Sequence, residues 1–474
     1  MESLSNTLAL WTANLAWSDI PPEIVHRAKL QVLDMIGAML AGRDDDVCVH
    51  LRSAAQSEDY GSGTKMVGFA DDVGVRAAAL MQGVMSSVLE FDDSHVATGI
   101  HIGTPVVSAA LSLGQRQGVT GRQLLAAVVV GSELGSRLGL VAPGILHRYG
   151  FHPTAIFGVF GATYAIASMR RLPPATIANA TGIAGSLAAG IMASWVDGTA
   201  AKSLHGGWAA TSAISAVQFA EAGLTGPSGV YEGRFGLFPS HVQDGQFPLD
   251  YACATDALGE RWELANVASR PYPCGHYIQP FLDACAALAG NEGIGLVENI
   301  VEIVCLVADY MVPLICEPRL EKLAPKTSWH ARYSLQICVA ELLVSGRFDK
   351  TSLSQRSLND ERIRTLAAKV SCRVDAEARD RNKWSGDVQI SWTDGRVAHH
   401  RVEHLRGTPG NPMSDDDIYS KFRANAAGVL ADSQIDPTIE RIRTLEDVDD
   451  VRSAFASLSQ AEHLIRVSQL QRGN

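Results

Sequence analysis

A chain of 474 residues is too long for one ordinary hydrophobic core and fits two domains. Its apolar and charged fractions are those of a globular protein, which excludes a disordered chain. A net charge of −11 opposes non-specific binding to nucleic acid or to an anionic membrane surface, so cations that meet an anionic substrate must be concentrated locally.

The start, Met1-Glu2-Ser3-Leu4-Ser5-Asn6, lacks the basic end and apolar run of a secretory signal, and Glu2 argues against a transit peptide. A cytoplasmic location is expected. Helical signals run from residue 20 to about 225. In the first helix Asp19 can cap, Pro21 and Pro22 suit the first turn, and Ile24, Val25, Ala28, Val32, Ile36 and Leu40 recur at helical spacing before Gly42 ends it. Further helices are predicted over 73–89, 104–117, 120–138, 154–169, 174–194 and 199–222. Their interiors are rich in Ala, Gly and Ser, which lets helix backbones approach closely. The apolar stretch 177–195 is interrupted by Asn179, Thr181, Ser186 and Ser194, so it reads as a buried helix and no membrane span is expected.

Between about 266 and 405 the pattern changes. Residues 298–308 are β-branched and apolar, 388–392 alternate, and Thr393-Asp394-Gly395 makes a hairpin turn into 396–404. Helices over 333–344 and 360–369 separate these strands. After Pro412 the chain is helical again, with Ser414 capping ahead of Asp415, Asp416 and Asp417. The fold class is therefore mostly α. A large all-helical domain over 1–265 is joined by a smaller α+β domain over 266–405, and helices over 406–474 are expected to pack back on the first domain.

Eight cysteines contain no C-x-x-C pair and no Cys/His set at zinc spacing, so neither a metal nor an iron–sulfur cluster is expected. Chemistry must come from point constellations. Glu90-Phe91-Asp92-Asp93-Ser94-His95, continuing to His101-Ile102-Gly103, sets two adjacent carboxylates and two imidazoles between helices, a mixture suited to acid–base work. The plainer alternative is that Asp92 or Asp93 caps the next element. His152 stands between Phe151 and Pro153, which restricts its backbone to an extended form and would aim its ring, although it could equally be a satisfied boundary residue. Lys202 lies early in an otherwise apolar helix, where a buried ammonium needs an anion; the alternative is a snorkelling surface lysine. Arg270-Pro271-Tyr272-Pro273-Cys274-Gly275-His276 marks the domain boundary. Cys274 reads as structural there, and Arg270 and His276 as the more informative side chains.

In this order, on a helical domain followed by an α+β one, these stretches resemble the MmgE/PrpD family from about residue 5 to about 430. The resemblance implies a homodimer in which the helical domain and the α+β domain over 266–405, acting as a lid, enclose the active site. It implies dehydration of 2-methylcitrate, decarboxylation of cis-aconitate or epimerisation of iminodisuccinate, with no cofactor. By motif matching, the family's functional positions fall on Asp92, Asp93, Ser94, His101, His152 and Lys202. Arg270 replaces a lysine common in the family, and Ile102 follows His101 where proline is usual.

The expected chemistry starts from a carbanion beside a carboxylate, whose charge Lys202, Arg270 and a protonated His101 or His276 would meet. His152 is the first choice of base and His101 the second. Asp92 and Asp93 would orient a histidine, and Ser94, Arg270 and His276 would bind a small anionic carboxylate. A 2-methylcitrate-type dehydratase is placed first, a decarboxylase or epimerase second, and a non-catalytic carboxylate-binding protein third.

Overall fold

The computed structural model describes residues 3–58, 63–243, 245–292, 297–375 and 384–459; residues 460–474 of the expected C-terminal segment lie outside them. The first long helix, Pro22–Gly42, starts behind Pro21. Asp19 does not cap it: its carboxylate accepts from the backbone N–H of Ala16 at 2.9 Å and closes the short turn Trp17–Asp19. Helices Gly121–Leu140 and Pro153–Met169 are buried along nearly their whole length and pack on each other. Thr120 and Gln123 form a reciprocal cap at the start of the first of these.

The small residues are where backbones touch. A Cβ on Gly83 of helix Val75–Ser87 would stand 2.4 Å from the Cα of Gly207 in helix Leu204–Glu221, and one on Gly207 would stand 2.2 Å from the carbonyl oxygen of Leu80. Neither obstacle can rotate away. Gly207→Val should therefore lower the urea midpoint, with a loss of roughly 3 kcal/mol set by overpacking. Gly290→Ala, where a Cβ meets nothing within 4 Å, should cost nothing, and equal midpoints for the two variants would refute the contact.

Several boundaries differ from expectation. The helix expected over 174–194 is Pro174–Gly185, followed by a separate turn Ser194–Asp197. Gly185 is held where a Cβ would lie 2.4 Å from Val230. Lys202 sits in the 3-10 turn Ala200–Ser203 that precedes helix Leu204–Glu221. Helices Leu4–Asn14 and Asp46–Glu58 were not expected.

The α+β part centres on a four-stranded sheet in which Ile300–Val307 runs parallel to Val370–Val374 and antiparallel to Gly386–Trp392, with Val397–Val402 at the far edge. Ile303, Val370, Val388 and Ile390 of the sheet share a core with Phe281, Leu335 and Leu366 of the helices beside it. Ile418, Phe422, Ile435, Ile439 and Ile442 of the C-terminal helices belong instead to the core of the first part. The chain is thus mostly α with a smaller α+β portion.

A two-stranded link positions the site. Ser94–His95 pairs antiparallel with Val267–Ala268, Ser94 facing Ala268, which brings the chain leading into the α+β part against the loop after helix Val75–Ser87. Beneath that loop, buried Lys421 of helix Asp415–Ala426 pairs with Asp34 at 2.6 Å and donates to the carbonyl of Phe91 at 3.0 Å.

Candidate active site

Glu90 is the hub. It follows helix Val75–Ser87 in a left-handed backbone conformation, φ 54°, and its carboxylate is buried. Lys202 donates to one oxygen at 2.5 Å, and Arg270 donates to the other at 3.0 Å and to the Glu90 carbonyl at 2.9 Å. Burial works to raise the Glu90 carboxyl, but the two cations outweigh it and hold the group well below the usual carboxylate range. The phenol of Tyr333 completes the shell of Lys202 at 2.9 Å.

His101 joins this hub. Its Nδ1 lies 2.8 Å from the carbonyl of Asp93 and 2.7 Å from the Nη2 of Arg270. Nε2 stands 3.1 Å from that same guanidinium nitrogen, so Arg270 lies along the edge of the ring. Ser94 Oγ stands 2.7 Å from Nδ1 and accepts from Arg270 at 3.3 Å. His152 sits just ahead of helix Pro153–Met169 in the extended conformation that Pro153 favours, with φ −86° and ψ 112°. Its Nδ1 meets Nδ1 of His205 at 2.9 Å, which leaves Nε2 for a substrate. The rings of His101 and His152 are 5.8 Å apart, and those of His147 and His152 are 6.3 Å apart.

These groups line one cavity of about 50 Å³, whose wall includes Glu90, Ser94, His101, His152, Lys202, Arg270 and His276. His147, Trp195, Tyr277, Leu314, Tyr333 and Trp384 complete the wall. Burial, reinforced by Lys202 or Arg270, lowers the pKa of His101, His152 and His276 well below the ordinary histidine value, and that of His147 to about 4. The imidazoles are uncharged at neutral pH. A protonated His101 or His276, expected as part of the cation set, is therefore replaced by neutral hydrogen-bonding rings. Both nitrogens of His276 are buried and without a protein partner.

The acidic pair does something other than expected. Asp93 accepts from the backbone N–H of Gly103 at 2.9 Å and from Gln31 at 2.6 Å, and Asp92 accepts from Thr104 at 3.0 Å. Both carboxylates anchor the start of helix Gly103–Gln117 instead of orienting an imidazole, and only the backbone carbonyl of Asp93 reaches His101. Burial raises the Asp93 carboxyl to about 7. Asp92 also lies 3.6 Å from Arg270. Cys274 is buried, in keeping with a structural role.

Of the residues singled out in the sequence, Ser94, His101, His152, Lys202, Arg270 and His276 come together, whereas Asp92 and Asp93 stand behind the wall. Sequence reasoning gave no role to Glu90, although it opens the motif, nor to His147, His205 or Tyr333. Tyr333 was absorbed into the predicted helix 333–344, which in fact begins at Leu335 behind a Ser334 cap.

A helical part and an α+β part sharing a buried set of cations and neutral imidazoles define the class. The MmgE/PrpD N-terminal domain model matches residues 6–250 and the MmgE/PrpD C-terminal domain model residues 272–447, so the chain belongs to the MmgE/PrpD family. Among curated relatives, a cis-aconitate decarboxylase-like protein of Aspergillus oryzae is 25% identical, across 95% of this chain and 96% of its own. The cis-aconitate decarboxylase of Aspergillus terreus is 25% identical, across 94% of each chain. That of Homo sapiens is 26% identical, across 95% of this chain and 93% of its own. Among the described residues no helix is long and apolar enough to cross a membrane.

Proposed function

We propose that this protein is a cofactor-independent lyase that forms a carbanion beside a carboxylate of a small acid. The observation that carries this reading is the meeting of Lys202 and Arg270 on Glu90, next to neutral His101 and His152, in one cavity. Carbanion charge spreads onto the adjoining carboxylate oxygens, and preorganised donors in a dry site stabilise it strongly. Lys202, Arg270, Ser94 and His276 are those donors.

His152 moves the proton. A neutral imidazole can release a proton from Nε2 while the proton shared with His205 shifts onto Nδ1 and the partly exposed His205 takes a replacement from water at its own Nε2; the reverse sequence lets it act as base. His101, with both ring nitrogens engaged, positions the Arg270 guanidinium. Loss of CO2 is the bond-breaking step favoured by the relatives, which are cis-aconitate decarboxylases. The C–C electrons pass into the neighbouring carboxylate as CO2 leaves, and His152 protonates the carbon. Dehydration, placed first from the sequence, stands second: the Lys202–Tyr333 pair offers an acid for a departing hydroxyl.

Chelator-treated protein in deuterated buffer, given dicarboxylates and tricarboxylates and followed by NMR, separates the readings. Release of CO2 with one deuteron incorporated marks a decarboxylase, and formation of an alkene with loss of hydroxyl marks a dehydratase. Binding without product or exchange would overturn the enzymatic reading.

A pH profile adds a sharper expectation. Because burial and Lys202 depress His152, its working neutral form persists well below pH 6.5, and the acid limb of kcat/KM should lie there. Lys202→Met removes the repelling charge and so should move that limb to higher pH. An acid limb at 6.5 in the unaltered protein would exclude His152 in this role.

A further inference from the structure

The eight cysteines are all free, and they differ in reach and in company. Six are buried, whereas Cys253 and Cys372 are partly exposed. Burial and the neighbouring Asp250, which accepts from the Cys253 thiol at 3.3 Å, push that thiol up and away from the reactive thiolate. Cys274 and Cys338 hydrogen-bond each other, but both are fully buried, out of reach of a dissolved oxidant.

Cys372 has neither handicap. It lies in Val370–Val374, the edge strand of the four-stranded sheet, in register with Cys305 of Ile300–Val307. Its sulfur meets the thiol of buried Cys316, the residue that closes the turn Val312–Ile315. Gln336, also buried, donates from one amide nitrogen to the Cys316 carbonyl at 3.0 Å and to the Cys372 sulfur at 3.8 Å. A single side chain thus holds together two cysteines far apart in sequence.

The pair is asymmetric. Cys316 donates its S–H to Cys372, which holds the Cys372 thiol below its ordinary value although burial works the other way, and the charge of Arg319 adds to the effect. Arg319 is pinned there by the carbonyls of Val370 at 2.8 Å and Ala368 at 2.9 Å. The same thiol–thiol bond, with burial, pushes Cys316 up. The exposed sulfur is therefore the nucleophile, and the buried one stands beside it as the resolving thiol.

We propose that Cys372 and Cys316 form a redox-modification site, at which a hydroperoxide converts the two thiols into a reversible disulfide. The Cys372 thiolate attacks one peroxide oxygen; the O–O bond breaks, an S–O bond forms, and the departing hydroxide takes up a proton to become water. The Cys316 sulfur then attacks the sulfenic sulfur, so the S–S bond forms as the S–O bond breaks, and the leaving hydroxide carries off the Cys316 proton as a second water. Two thiols lose two electrons and the peroxide gains them. Leu314 of the same turn lines the cavity, so the new bond ties part of that wall to the sheet edge. The site is independent of the lyase reading.

The test is peptide mapping and intact mass of the full chain after brief exposure to hydrogen peroxide and quenching with an alkylating reagent. One linkage, Cys316 to Cys372, should appear with the loss of two hydrogens and should be reversed by dithiothreitol, while Cys253 is still alkylated. Cys316→Ala should leave Cys372 as a sulfenic acid that dimedone traps, and Cys372→Ser should abolish linkage and trapping alike. Oxidation of Cys253 ahead of Cys372, linkage through another cysteine, or a Cys372 that stops at the sulfenic acid with Cys316 present would overturn the proposal. So would a fully alkylated chain at a peroxide dose that oxidises free cysteine in the same tube.

Discussion

Replacing His152 with glutamine should lower kcat by about 10³-fold, the range in which loss of a positioned proton carrier falls, while Kd for the substrate stays close to that of the unaltered protein. Glutamine can still hydrogen-bond His205 across the 2.9 Å gap, so the ring's neighbours stay in place. It cannot accept and return a proton. Stopped turnover with intact calorimetric binding is the expected pair of results. A mild effect on both would mean that the proton passes through another group, with His101, 5.8 Å away, the nearer of the other rings that line the cavity.

Glu90→Gln should be the most damaging change to stability. Lys202 and Arg270 are both buried, and Glu90 is the carboxylate that joins them. Removing one partner of a buried ion pair strands the rest, at about 3–5 kcal/mol, because the stranded charges keep their desolvation cost. Asp92, 3.6 Å from Arg270, relieves part of this for the guanidinium and nothing direct for the ammonium. A small carboxylate added to the variant should restore much of the loss, since it meets two cations that have lost their counter-ion, whereas the unaltered protein should respond far less. Urea titrations with and without succinate measure this. Equal midpoints for both proteins without ligand would show that Glu90 is not the counter-ion.

How much could be read in advance depends on whether the deciding interaction is local. Thr120 with Gln123, and Ser414 with Asp417, announce their helices because the capping partners are three residues apart. The turn at Thr393-Asp394-Gly395 is equally local, with Gly395 at φ 83°. The strand Val370–Val374 escaped because it is short, half polar and buried mainly at Val370, and its parallel partner Ile300–Val307 lies far off in the chain. Helix Asp46–Glu58 carries few apolar residues to set a period.

The site divides in the same way. His152 was legible because Pro153 fixes its backbone, and Lys202 because an ammonium among apolar residues demands an anion. The identity of that anion was not legible. Glu90 reaches Lys202 and Arg270 across 112 and 180 residues, and its left-handed backbone has no signature in the spacing of its neighbours. Asp92 and Asp93 drew attention as an acidic pair, yet the chain spends them on the open N–H of Gly103 and the hydroxyl of Thr104.

Lys421 grips Asp34 and the Phe91 carbonyl from a helix that begins at Asp415. The loop that presents Glu90 is thereby fastened by a stretch of polypeptide that emerges from the ribosome more than three hundred residues later. A nascent chain still missing that stretch presents Glu90 on an unsupported loop, so the site can set only once that stretch has been added.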